Sequence, residues 1–260
     1  MRLYEIAASN QGGNVFKDAN GNSLTRKISL PEIETTIRWL EELTGLPLRN
    51  NTLGSVLKKK SSKDLDLAVD QNSVSKDELI SKLSSWTVKQ QGKSTDWIKK
   101  SGISVHFKTP ISGDQRNGFV QTDFMFGDDV DQMKFGLFSA GEKSSFSGAE
   151  RNLLMSSLAK SLPNDLKYSW QKGLIRRSTS ELISKDPDQI ATVLLGKGFK
   201  RSDLDSVETI MSAIKSDPHR IKNLEDLTVN LRKSNGKKPA EMKADAEEAD
   251  RITKAVGLVR

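Results

Sequence analysis

Apolar and polar positions along this chain change period several times, and each change marks an element. Ile33, Ile37, Leu40 and Leu43 recur at helical spacing. Ser29 precedes them as a cap, Pro31 suits a first turn, Glu32 suits the helix dipole, and Gly45 with Pro47 closes the segment. Asp64 to Asp70 (DLDLAVD) alternates polar with apolar, which predicts a strand. Ser75 to Gln90 returns to helix, opened by a capping box of Ser75 and Glu78. Ile103 to Thr109 and Phe119 to Phe126 alternate again, and Lys134 to Phe138 reads as a further short strand. Ser147 to Ser161 is helical through Leu153, Leu154, Leu158 and Leu162. The first 28 residues, with NQGGN and DANGN, read as turns around short extended pieces.

After Pro163-Asn164 the texture changes. One extended piece, Gly173 to Arg176, is followed by helical patterns at Pro187–Leu195, Ser202–Ile214, Asn223–Leu231 and Pro239–Val256. Asp186-Pro187, Ser202-Asp203 and Asp217-Pro218 have the composition of helix starts. No repeat of fixed period is present. The expectation is an α+β protein: a small mixed β-sheet with flanking helices over residues 1–164, then a mostly helical region over residues 165–260.

Composition narrows the chemistry. With 35% hydrophobic and 29% charged residues among 260, the chain has too many apolar residues for a disordered polymer. No stretch approaches the ~20 apolar residues of a membrane span. The start, MRLYEIAASNQGG, lacks the apolar block of a signal peptide, so a soluble cytoplasmic protein is expected. The absence of cysteine removes thiol catalysis, disulfides and iron–sulfur clusters. Two histidines leave little for zinc. The net charge of +7 suggests a nucleic-acid partner, but the basic excess is shared between residues 1–164 and 165–260 and locates no binding face. Lys58-Lys59-Lys60, Arg176-Arg177, Lys200-Arg201 and Lys237-Lys238 read first as solvated surface runs.

The informative segment is Leu53-Gly54-Ser55 followed, ten positions after Gly54, by Asp64-Leu65-Asp66-Leu67. Carboxylates at i and i+2 of a strand project from one face while Leu65, Leu67 and Val69 pack behind them. Like charges this close repel, and a divalent cation bridging them is the natural reason to keep both. Hard Mg²⁺ prefers carboxylate oxygens completed by substrate phosphates. Gly54 allows close backbone approach to a ligand, and Ser55 adds amide and hydroxyl donors for phosphate oxygens. Asp123, in the strand Phe119 to Phe126, is a third acid that an adjacent strand can place beside the pair.

In this order of elements the chain resembles the nucleotidyltransferase superfamily that includes DNA polymerase β, CCA-adding enzymes and antibiotic nucleotidyltransferases. The residues carrying the resemblance are Leu53-Gly54-Ser55, Lys63-Asp64-Leu65-Asp66-Leu67 and Thr122-Asp123-Phe124, within roughly residues 30 to 130. Residues 147–260 loosely resemble the helical tails of phage-encoded members. The resemblance implies that Asp64, Asp66 and Asp123 hold two Mg²⁺ ions and that Asp123 can also take the acceptor proton. It further implies that Gly54 and Ser55 cradle the phosphates of an NTP, ATP being one choice. The basic residue at the triphosphate would come from Lys58 to Lys60, Lys143 or Arg151. The implied activity is transfer of NMP from an NTP to a hydroxyl of RNA, a tRNA 3′ end, a protein or a small molecule. The alternative is the same fold kept as a non-catalytic binding or structural module, phage- or nucleic-acid-associated.

Competing accounts exist for each residue. Asp64 and Asp66 also suit a solvated edge strand that Asp70 merely continues. His106 reads as a surface histidine or one behind the site, and His219 as a helix-start residue. Trp39, Trp86, Trp97 and Trp170 read as packing residues rather than base-stacking ones. Gly136 to Ser144 (GLFSAGEKS) looks like a P-loop, but Glu142 separates Gly141 from Lys143, which the P-loop needs adjacent. A Gly/Ser-rich connector over Ser139 to Gly148 is the better account.

Overall fold

The structure, a computed structural model, describes residues 15–90, 93–216, 247 and 250–254. The chain divides into two units, Met1–Lys134 and Phe135–Arg260.

In the first unit, β1 (Ile28–Ser29) pairs antiparallel with β2 (Ser61–Ser62). Helix α1 (Leu30–Thr44) starts where the sequence places it: the Ser29 N–H donates to the Glu32 carboxylate at 2.8 Å. It ends on Gly45 at φ 74°, in the left-handed region that glycine enters freely. Helix α2 (Lys76–Lys89) carries the expected capping box, with Glu78 N–H donating to Ser75 Oγ at 3.2 Å and Ser75 N–H to Glu78 at 2.7 Å. A short helix α3 (Ser94–Trp97) leads into β4 (Ile98–Ser101), which the sequence pattern did not mark.

The main sheet contains β3 (Asp64–Asp70), β4, β5 (Ser104–Pro110) and β6 (Phe119–Gly127) in the order β3-β6-β5-β4. β3 and β6 are parallel; β6 with β5 and β5 with β4 are antiparallel. Alternation gives each strand one apolar row. Leu65, Leu67, Val69, Val105, Phe107, Val120, Phe124 and Phe126 pack against Ile33, Ile37 and Leu40 of α1 and Leu79 and Leu83 of α2. The helices therefore cover one sheet face, and the polar rows of β3, β6 and β5 lie on the other. Trp39, Trp86, Trp97, Phe107 and Phe119 form a chain of edge-to-face and tilted ring pairs with centroids 5.1 to 6.4 Å apart, and Trp170 is buried in the second unit.

The strand expected over Lys134–Phe138 is instead the end of helix α4 (Val130–Gly136). Asp129 starts it, with Gln132 N–H donating to its Oδ1 at 2.9 Å and Met133 N–H to its carbonyl at 3.0 Å.

The second unit holds α5 (Gly148–Ser161), α6 (Pro187–Leu195), α7 (Val207–Ser216) and a three-stranded antiparallel sheet of β7 (Leu166–Ser169), β8 (Gly173–Arg176) and β9 (Leu182–Ser184). The sheet adds β7 and β9 to a region expected to be mostly helical, in which only β8 was foreseen. The units divide between Lys134 and Phe135 rather than after residue 164, because Leu154, Met155, Leu158 and Ala159 of α5 share a core with Leu166, Leu174, Ile190 and Ile210. The helix expected over Ser202–Ile214 is a 3-10 turn, Arg201–Leu204, followed by α7. Ser206 interrupts it by accepting the Thr209 N–H at 3.1 Å, as a new cap. The helix expected over Asn223–Leu231, most of the one over Pro239–Val256, and His219 lie outside the described residues. Residues 251–254 are helical, with Ile252 in the second core. Among the described residues, no helix is long and apolar enough to cross a membrane.

Phe124 is wholly buried under the polar face, between Asp123 and Met125. Phe124→Ala is expected to cost about 3–5 kcal/mol, as for large aromatic deletions in cores, read as a lower urea midpoint; a loss under about 1 kcal/mol would contradict this packing.

Candidate active site

Two ranks of side chains cross the polar face. Asp66 stands opposite Asp123, Asp123 opposite His106, and His106 opposite Lys99, so one rank spans β3, β6, β5 and β4. The second rank runs Asp64, Gln121, Lys108. Neighbouring strands lie about 4.8 Å apart, which brings facing carboxylates into electrostatic range.

The Gly-Ser turn is tied to this face. Thr52 bridges Leu67, and Leu53 N–H donates to the Asp66 carbonyl at 2.9 Å. Gly54 follows at φ 58°, and Val56 and Lys58 close tight turns onto the carbonyls of Leu53 and Ser55. Leu57, at φ 62°, holds a left-handed conformation that a branched side chain adopts at a cost of about 1 kcal/mol. Ser55 is half-buried and Lys58 exposed.

Burial and mutual repulsion act on the acids. Burial first, then the Asp123 charge, pushes the Asp64 carboxyl from 3.8 up to about 6, against a weak opposing contact from Ser62. Asp66 is held well above the ordinary carboxylate range by burial, then by Asp64 and Asp123. Although Asp66 is only half-buried by area, its Oδ1 is shut off from solvent and has no hydrogen-bond partner. Asp123 is satisfied: His106 Nδ1 lies 2.7 Å from its Oδ1, and Gln121 Nε2 donates to Oδ1 at 2.9 Å and Oδ2 at 3.0 Å. His106 is thus an inner partner of the third acid, one of the two roles its sequence position allowed. Gln121 was missed, and its signal was period two: it shares the face of Asp123. Asp70 bends away into a turn, accepting from Asn72 and Ser73.

The basic candidates separate. Lys58 belongs to the first unit; Lys143, exposed, and Arg151 belong to the second. A phosphate contact by Arg151 does not survive: the side chain is 1% exposed, bonded to the carbonyls of Leu204 and Phe135, and set over the rings of Phe135 and Phe138. The GEK segment forms a 3-10 turn, Gly141–Lys143, preceded by helix α4 rather than by the strand a P-loop requires.

A hard divalent cation suits the donor set of Asp64 and Asp66, and the buried Oδ1 of Asp66, which has no hydrogen-bond partner, is the atom such a cation would satisfy. Among the described residues, no three Asp, Glu or His side chains already converge as cation ligands. Asp123 bonds to His106 on β5, the side of β6 away from β3.

Comparison of the chain with protein-family models, curated proteins and solved structures finds no match.

The raised carboxyls have a thermodynamic consequence. Folded Asp64 binds its proton more tightly than the unfolded chain does, so without cation stability falls as pH rises from about 4 through about 6 and stays lost above. Asp64→Asn is expected to raise stability by on the order of 2–3 kcal/mol at about pH 8 and to change it little near pH 4. Urea unfolding at the two pH values measures this; equal effects at both would show that Asp64 is not so buried and crowded.

Proposed function

We propose that this protein is a Mg²⁺-dependent nucleotidyltransferase that moves NMP from an NTP to a hydroxyl acceptor. One observation carries the reading: Asp64, Asp66 and Asp123 share a sheet face, beside a Gly54-Ser55 turn hydrogen-bonded through Leu53 to the Asp66 strand. Among the described residues neither Asp64 nor Asp66 makes an ion pair, and two raised carboxyls express the cost. In a phosphoryl-transfer site that cost is offset when substrate and cation bind.

Asp64 and Asp66 would hold the cation, with Asp123 as third ligand. Mg²⁺ in such a site neutralises phosphate charge and lowers the pKa of a bound hydroxyl. Gly54 leaves room for a phosphate against the backbone, Ser55 offers a hydroxyl donor, and Lys58, on the same loop, adds positive charge. Asp123 accepts the acceptor's proton as the new P–O bond forms at the α-phosphorus and pyrophosphate leaves. The basic surplus suits an RNA acceptor by charge alone; protein and small-molecule hydroxyls are the other classes.

A second reading, a binding module of this fold, draws on the engagement of both Asp123 oxygens by His106 and Gln121. Incubation of the protein with each α-labelled NTP, Mg²⁺ and RNA, its own chain or a small-molecule pool separates the two. Label transfer is expected from the wild type, reduced about a hundredfold or more in Asp64→Asn and Asp66→Asn. Equal transfer by the double variant would place the chemistry elsewhere. NTP and Mg²⁺ binding without transfer to any acceptor would favour the module.

A further inference from the structure

We propose that His106 and Gln121 are positioning residues for Asp123: His106 engages Oδ1 alone while Gln121 straddles both oxygens, which leaves Oδ2 as the more open oxygen for the site. The proposal rests on the cation-binding reading above and adds to it which atom of the third acid is available and what holds it so.

Counting donors gives the asymmetry. A carboxylate offers about two acceptor positions on each oxygen. Oδ1 receives His106 Nδ1 at 2.7 Å, and Gln121 Nε2 is shared between Oδ1 at 2.9 Å and Oδ2 at 3.0 Å, so Oδ2 has no donor of its own. A carboxylate only accepts, so His106 Nδ1 carries the proton in this bond and Nε2 is its other ring atom. The side chains of His106 and Asp123 are 12% and 5% exposed, so water competes little for these positions.

The arrangement is braced from outside the rank. Val15 N–H donates to Gln121 Oε1 at 3.0 Å, which fixes the amide with its nitrogen toward Asp123. Lys99, opposite His106 on β4, donates to the Val15 carbonyl at 2.7 Å and lies 5.3 Å from the Phe16 ring centre. Phe16 is 1% exposed, so the segment that orients Gln121 is itself anchored. Groups that fix the orientation of a ligating carboxylate or imidazole typically change metal affinity 10–100-fold when removed, about the range expected here.

The test uses the full chain without nucleotide and MnCl₂ as the probe, and follows the melting temperature across a Mn²⁺ titration. Asp66→Asn, expected to abolish the Mn²⁺-dependent rise, assigns the ion to this face. His106→Ala and Gln121→Ala are each expected to weaken apparent Mn²⁺ affinity about 10–100-fold. His106→Asn, whose amide nitrogen replaces Nδ1, is expected to restore most of the loss. A merely structural role would lower the melting temperature without Mn²⁺ and leave the Mn²⁺ dependence unmoved. Independently of any cation, ¹⁵N NMR of the neutral imidazole is expected to show the Nδ1–H tautomer in the wild type. An Nε2–H tautomer there, or His106→Ala and Gln121→Ala binding Mn²⁺ as tightly as or more tightly than the wild type, overturns the proposal. A wild type that ignores Mn²⁺ removes the cation reading and the proposal with it. That result is distinct from the failure of positioning alone, in which the wild type and both alanine variants respond alike.

Discussion

Parallel pairing of β3 with β6 sets Asp66 directly across from Asp123 and Asp64 across from Gln121, and most of the polar face follows from that register. A slip of β3 by one residue would turn Asp64 and Asp66 into the core and expose Leu65 and Leu67 instead. The register is held from beneath: each fully buried apolar side chain of β3 and β6 contributes about 1.5–3 kcal/mol. Several such contributions outweigh the repulsion that raises Asp64 and Asp66. The acids are crowded because the core below them leaves no alternative.

That arrangement explains the unequal states of the three carboxylates. Asp123, central in the sheet, has neighbours on both sides and is satisfied by His106 and Gln121. Asp66, on the outer strand, has Leu53 against its backbone but nothing on its Oδ1. The open side of the site is therefore the β3 side, where the Gly54-Ser55 turn lies. The second unit owes its cohesion to different means: an apolar core, and a guanidinium of Arg151 buried against carbonyls and aromatic rings.

Much of the first unit was legible in the chain. The caps of α1 and α2, the left-handed glycine after α1 and the alternation in β3, β5 and β6 are local signals, and local hydrogen bonding and side-chain direction decide them. The misreadings have several causes. β4 and β7 are short strands whose partners lie elsewhere, and Lys134–Phe138 is apolar enough for a strand until Asp129 caps the helix that takes in residues 134–136. Ser206 likewise splits a helix whose apolar spacing runs on unbroken. Arg151 looked like a phosphate ligand because a sequence shows charge and not burial.

The sequence by itself determined which side chains share a face of each strand, because the period of two is a property of the backbone, and so determined that Asp64 pairs with Asp66 and Gln121 with Asp123. Only the tertiary structure decided which strands became neighbours. Strand order and register come from non-local packing of the apolar rows against α1 and α2, and they place His106 against Asp123, leave Asp66 without a partner, and bury Arg151 away from solvent.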